Sequence, residues 1–340
     1  MRKGDNKSKN IKIGVTSCEH RVIIPLYVPV EEGYYKQSFD IFKMCLSSVR
    51  KTSVSKIKVS VVSNGSSANI NSKLLDFQND GLIDELIIER ENIGKINSVL
   101  KVLRSTEERF ITITDADVLF LNNWEKEVMS IFKEFPDAAA VSPLPVFRTQ
   151  NHYTSSILFD YFFSNKLKFS KVKNPDALTL FAKSIGWSYL DDKWKDCIMT
   201  IESKNGTKAV VGCNHCVVTY KREIFNGIPS NNSKYKLGGD SEGLYLDIPA
   251  QYFGGYRLAT YDNFAYHLGN TIETWMLKDF NNLINEEKKD HFTQSLFLKK
   301  SIVRHFFKNI IFKKIISRKA IRKIYYRKKG LKQSKLIDFF

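Results

Sequence analysis

Apolar residues along this chain fall into short β-branched runs separated by stretches with helical spacing. The run Ile11-Lys12-Ile13-Gly14-Val15-Thr16 reads as a first strand, and Phe39, Phe42, Met44, Leu46 and Val49 mark one face of a helix over about 38–50. A second strand, Ile57–Val62, ends in the turn-forming Ser63-Asn64-Gly65-Ser66-Ser67. Leu86-Ile87-Ile88 reads as a third. Asn92-Ile93-Gly94-Lys95 then leads into a helix reaching about Leu103, and Phe110–Thr114 closes the series. Strands alternating with helices imply a parallel, doubly wound α/β sheet.

The most informative run is Ile111-Thr112-Ile113-Thr114-Asp115-Ala116-Asp117-Val118-Leu119-Phe120. A buried strand here places two carboxylates at its C-terminal end, where α/β sheets bind ligands. Hard divalent cations take oxygen ligands, and a Mg²⁺-like ion uses one or two carboxylates while phosphates fill other positions. The spacing suggests a metal–nucleotide site. Turn formation or helix capping after the strand calls for the same residues.

Composition sets outer limits. The 340 residues, 43% hydrophobic and 26% charged, suffice for one large core or two small ones. No apolar run approaches the ~20 residues of a membrane-spanning helix. The polar start, Met1 to Asn10, lacks the apolar core of a signal peptide, so a cytoplasmic protein is expected. Five cysteines then favour reduced thiols, including the Cys213-x-x-Cys216 pair around His215, which has no second pair at zinc-site spacing.

The net charge of +17 is uneven: fifteen lysines and arginines and no acid lie between Lys299 and Lys335. Within that stretch Ile302, Val303, Phe306, Phe307, Ile310 and Ile311 recur at helical spacing. A basic amphipathic helix suits the surface of an anionic membrane, so the expected location is peripheral, on the inner face of the membrane. Packing on the body is the alternative. Nucleic-acid binding is disfavoured, because Phe306, Phe307 and Phe312 sit among aliphatic residues rather than forming a stacking platform.

The order of motifs resembles family 2 glycosyltransferases of the GT-A fold, of the bacterial cell-surface polysaccharide type. The resemblance runs from about Ile11 to Gly269. It is carried by Val61-Val62-Ser63-Asn64-Gly65-Ser66, Asn92-Ile93-Gly94-Lys95-Ile96-Asn97, Asp115-Ala116-Asp117, the segment 211–225, Gly238-Gly239-Asp240-Ser241-Glu242, Gly255–Ala259 and Tyr266-His267-Leu268-Gly269. One departure is that Ser63 and Asn64 stand where the family has aspartates.

The resemblance implies a polar extension over 1–10 and a GT-A domain over 11–285, whose nucleotide-sugar half is 11–120 and acceptor half 121–285. A basic tail follows over 291–340. It also implies donor contacts from Thr16, Asn64, Asn92, Gly94, Lys95, Asp115 and Asp117. A divalent cation, Mn²⁺ or Mg²⁺, is expected on Asp115, Asp117 and His267, with Asp117 the direct ligand. Asp240 is the expected base and Glu242 its near alternative, although both also suit the cap and first turn of a helix. Lys95 and Arg257 are candidates for phosphate.

The expected reaction is metal-dependent, inverting transfer of a sugar from a nucleotide diphosphate sugar to a glycan or lipid-linked acceptor. Two rivals stand beside it. A nucleotidyltransferase would need a glycine-rich, lysine-bearing loop for a triphosphate, which the N-terminus lacks. The other is a basic nucleic-acid-binding or scaffold protein with an inactive body.

Overall fold

A computed structural model describes residues 4–5, 7–12, 18–288, 297–298 and 300–332. The first half alternates strand and helix: β1 (His20–Leu26), α1 (Ser38–Thr52), β2 (Ile57–Asn64), α2 (Ala68–Asn79), β3 (Glu85–Glu89), α3 (Lys95–Leu103) and β4 (Phe110–Thr114). It continues through β5 (Val118–Phe120), α4 (Trp124–Glu134), β6 (Ala138–Ser142), α5 (Ser155–Asp160), β7 (Leu167–Lys171), α6 (Pro175–Ser184) and α7 (Asp192–Asp196). The second half holds β8 (Cys197–Glu202), β9 (Lys208–Val211), β10 (Val217–Lys221), α8 (Ile248–Tyr252), β11 (Tyr256–Thr260), β12 (Ala265–His267) and α9 (Thr274–Asn281).

Ten strands form one sheet in the order β3-β2-β1-β4-β10-β6-β11-β9-β8-β7. Pairing is parallel from β3 through β4, as helical crossovers demand, and β10 enters antiparallel beside β4. Strand residues alternate between two cores. Val22, Ile24, Val59 and Val61 pack with α1, α2 and α4, while Ile23, Val62, Ile111 and Ile113 pack with α3 and the segment around Tyr245–Ala250. This is the GT-A-type α/β architecture expected from the sequence.

The first strand of the sheet is His20–Leu26. Of the expected run Ile11–Thr16, Ile11 and Lys12 carry no secondary structure, and 13–17, Thr16 included, lie outside the described residues.

The basic segment packs on the body. It comprises α10 (Ile302–His305), a π-helical stretch over Phe306–Phe312, α11 (Lys313–Ile316) and α12 (Lys319–Lys328); Lys299 and Lys335 lie outside the described residues. Ile316, Tyr325, Tyr326 and Leu331 join the main core. Asn309 is buried, accepting from Ser155 Oγ at 2.5 Å and donating to the Gln251 carbonyl at 3.2 Å. The apolar stripe Ile302, Val303, Phe306, Phe307, Ile310 and Ile311 stays exposed. Among the described residues no helix is long and apolar enough to cross a membrane.

Candidate functional site

The Asp115-Ala116-Asp117 turn lies between β4 and β5 and is held at both ends by backbone hydrogen bonds. The Asp115 N–H donates to the Cys216 carbonyl at 2.7 Å, and the Leu268 N–H to the Asp117 carbonyl at 2.7 Å. Antiparallel pairing of β12 with β5 sets His267 opposite Val118, next to Asp117. The result is an imidazole Nε2 at 3.3 Å from Asp117 Oδ2. Ser184 Oγ lies 2.8 Å from Nδ1 and fixes the ring, leaving Nε2 toward the acids.

Charge in this corner is unbalanced toward the acids. Burial pushes the Asp117 carboxyl up to about 6; His267 pulls it down and Asp115 adds to the rise. Ligand atoms of Asp115, Cys216 and His267 lie within 4.8 Å of one another. Burial and the neighbouring acids hold the Cys216 thiol well above its usual range, which favours the carboxylates of Asp115 and Asp117 and the oriented imidazole as donors. An oxygen–nitrogen set of that kind fits Mn²⁺ or a similar divalent ion better than a thiophilic one.

Lys95 opens α3 beyond Gly94, whose φ of +94° and closeness to Lys236 exclude a side chain: an added Cβ would lie 2.8 Å from the Lys236 Cα. Its ammonium reaches Asp115 Oδ1 and Glu242 Oε1, both at 2.6 Å. Burial alone would lower the Lys95 pKa, but the two carboxylates reverse that and hold it well above its usual value. One cation thus joins the acids after β4 to the segment 240–242. From Glu242 the network continues to His215 Nδ1 at 3.4 Å, and from His215 Nε2 to Asp247 Oδ2 at 2.8 Å. Asp247 and Arg257 are fully buried and touch at 2.8 Å between Oδ1 and Nη2, a charge contact outside hydrogen-bond geometry.

Asp240 differs from Glu242. It is exposed, has a φ of +57°, and accepts hydrogen bonds from the Tyr153 hydroxyl at 3.2 and 3.3 Å. Among the described residues no cation pairs with it.

The remaining sequence candidates are placed as follows. Asn64 is buried, accepts from the Ile93 N–H at 2.8 Å and donates to Asn92 Oδ1 at 3.1 Å; Asn92 Oδ1 also accepts from the Gly94 N–H at 2.9 Å. Asn64 and Asn92 thus shape the turn before Lys95. Arg257 spends its charge on Asp247. The five cysteines are free thiols, and Cys213 and Cys216 sit between β9 and β10. Reading the sequence missed Tyr153, His152, Asp247 and Cys216 as members of this region. Two of them carried a signal: Asp247 as an acid directly after the apolar Leu244-Tyr245-Leu246, and Cys216 through its spacing from Cys213 within the segment 211–225.

The family model "Glycosyl transferase family 2" matches residues 34–225. Among solved structures, the chain is similar to the mannosyltransferase PcManGT from Pyrobaculum calidifontis, crystallised with GDP-Man and Mn²⁺, at 17% identity and a TM-score of 0.37, over 72% of this chain and 55% of that one. It is also similar to S. aureus TarS at 12% identity and a TM-score of 0.43, over 77% of this chain and 38% of that one. The chain therefore spans about half or less of each of those proteins. No curated protein matches it at the sequence level. With more than half its length under the family model, the chain belongs to glycosyl transferase family 2.

Proposed function

We propose that this protein is a metal-dependent, inverting glycosyltransferase that moves a sugar from a nucleotide diphosphate sugar to a glycan or lipid-linked acceptor, as in cell-surface polysaccharide synthesis. The observation that carries this reading is the Lys95 ammonium, which holds Asp115 and Glu242 at 2.6 Å each. That bridge supports reading the acids after β4 and the segment 240–242 as one site.

Asp117, Asp115 and His267 would hold the cation. Once bound, that ion neutralises charge developing on the leaving diphosphate. Lys95 adds a fixed positive charge beside it. Asp240 takes the proton of the acceptor hydroxyl, so that the new bond to the anomeric carbon forms as the bond to the diphosphate breaks on the opposite face. Tyr153 aims the Asp240 carboxylate. Glu242, paired with Lys95, positions that lysine and is the weaker candidate for base.

Calorimetry with a panel of nucleotides and nucleotide sugars, with and without Mn²⁺, tests the reading on the wild type and on Asp117→Ala. Metal-dependent binding of one diphosphate nucleotide that vanishes in the variant is expected. A folded protein that binds none of them would overturn the reading in favour of an inactive body.

Membrane attachment belongs to the same reading. The exposed stripe from Ile302 to Ile311 is flanked by Lys300, Arg304 and Lys314, a combination that matches an anionic lipid surface and brings a lipid-linked acceptor within reach.

A further inference from the structure

Beside Asp240 lies a cavity of about 450 Å³, lined among others by Arg148, His152, Tyr153, His215 and Arg257. Its cations are incompletely matched. Arg148 has no carboxylate within ion-pair distance among the described residues, and its guanidinium lies 5.5 Å over the Trp194 ring. Arg257 is committed to Asp247 and donates from Nη1 and Nη2 to the His152 and Cys213 carbonyls, at 3.2 and 2.9 Å, which leaves its buried Nε–H without a hydrogen-bond partner among the described residues and Arg148 as the cation open to a ligand. Asp247 is already shared between Arg257 and His215, which leaves Asp240 as the other acid on the wall. His152 reports the resulting field: burial, Arg257 and Arg148 all hold its pKa below the usual value.

The backbone is also committed to this shape. Five described non-glycine residues have positive φ, and three of them, Arg148 at +66°, Tyr153 at +54° and Asp240 at +57°, line this cavity. Side chains in that region of φ cost energy and persist where the surroundings impose them, commonly at ligand clamps.

We propose that the cavity is an acceptor subsite for an oxyanion, a phosphate or carboxylate group that the acceptor carries near the hydroxyl to be glycosylated. "Acceptor" here rests on the glycosyltransferase reading; the oxyanion site does not. Guanidinium groups pair with such anions through two parallel N–H donors.

The test follows the ring signals of His152 in the full-length, histidine-labelled protein, assigned with His152→Gln. Glucose 6-phosphate, glucuronate and glucose present the same ring with a phosphate, a carboxylate or no anion. Saturable shifts with one or both anions and none with glucose are expected, and Arg148→Gln should weaken that binding about tenfold or more. The better anion names the source of the group. No saturable shift with either anion, or equal affinity in Arg148→Gln, overturns the proposal.

Donor binding is measured on the same samples. If a nucleotide sugar competes with the anion, the cavity serves the donor diphosphate and the proposal is also overturned. If the anion binds through Arg148 while no nucleotide sugar binds, the oxyanion site stands and the glycosyltransferase reading falls.

Discussion

Gly243 has no side chain because its space is taken: an added Cβ would lie 2.2 Å from Asp240 Oδ1 and 2.4 Å from the Tyr153 hydroxyl. Gly243→Ala must push the proposed base away, so transfer should fall at least tenfold in steady-state assays while donor binding by calorimetry stays as in the wild type. Asp240→Asn should cost roughly 10² to 10⁴ in rate, with Tyr153→Phe much milder, since the tyrosine only aims the carboxylate. An Asp240→Asn enzyme with near-normal turnover would shift the role to Glu242. Asp117 sets a pH dependence. Its folded carboxyl titrates near 6, above its ordinary 3.8, so ionising it costs the apo fold stability as pH rises from about 4 to about 6. A cation must displace that proton. Mn²⁺ affinity should therefore rise with pH through this range, and a flat calorimetric profile from pH 5 to 7 would contradict this assignment.

The element scale shows what the sequence could and could not disclose. The helix over 38–50 emerged as expected because it has a clear helical period and buries one face, and the strands at Ile57, Leu86 and Phe110 because each is a short apolar, β-branched run, buried on both faces at β2 and β4. The opening strand did not. Its true span begins with His20 and Arg21 and contains Pro25, all poor signals for a central strand. Partners explain the exception. The β1–β4 ladder stops at Ile23, so Pro25 lies past its end, and His20 is buried between Glu125 Oε1 at 2.5 Å and Thr112 Oγ1 at 2.7 Å. Likewise the acids around 115 and 240 and the imidazole of His267 could be found as short motifs, whereas Arg148, His152 and Tyr153 are single residues in a stretch without period. Only folding brings them to one cavity.

Glu125 ties these elements together, accepting also from the Val54 and Ser55 N–H groups at 2.6 and 2.9 Å. Burial raises its carboxyl, but His20 and Ser55 outweigh this and hold it below its usual range. Its contribution is present above the ordinary glutamate range and is lost as pH falls. Glu125→Ala should cost about 3 kcal/mol in denaturant unfolding at pH 7, because His20, the buried Ser55 N–H and the half-buried Val54 N–H lose their partner. The gap to wild type should narrow toward pH 4; a gap that widened there would contradict the sign.

At the scale of the whole molecule, the basic segment has two faces with different duties. Tyr325 and Tyr326 are buried, and their hydroxyls donate to the Leu158 carbonyl at 3.2 Å and to Asn151 Oδ1 at 2.7 Å. Deleting the segment would strip these residues from the core, so loss of vesicle binding in a truncated chain would not separate attachment from unfolding. The opposite face allows a cleaner test. Phe306 and Phe307 are 47% and 53% exposed, so replacing both with serine should leave the melting temperature nearly unchanged. If they insert into lipid, the substitution removes about 2 kcal/mol of transfer energy, which is about thirtyfold in partitioning. Flotation with vesicles containing phosphatidylserine should show that loss, and raised salt should weaken wild-type binding by screening the lysines and arginines. Equal binding of wild type and Phe306→Ser/Phe307→Ser would exclude insertion through this stripe, and salt dependence without it would reduce the segment to an electrostatic tether.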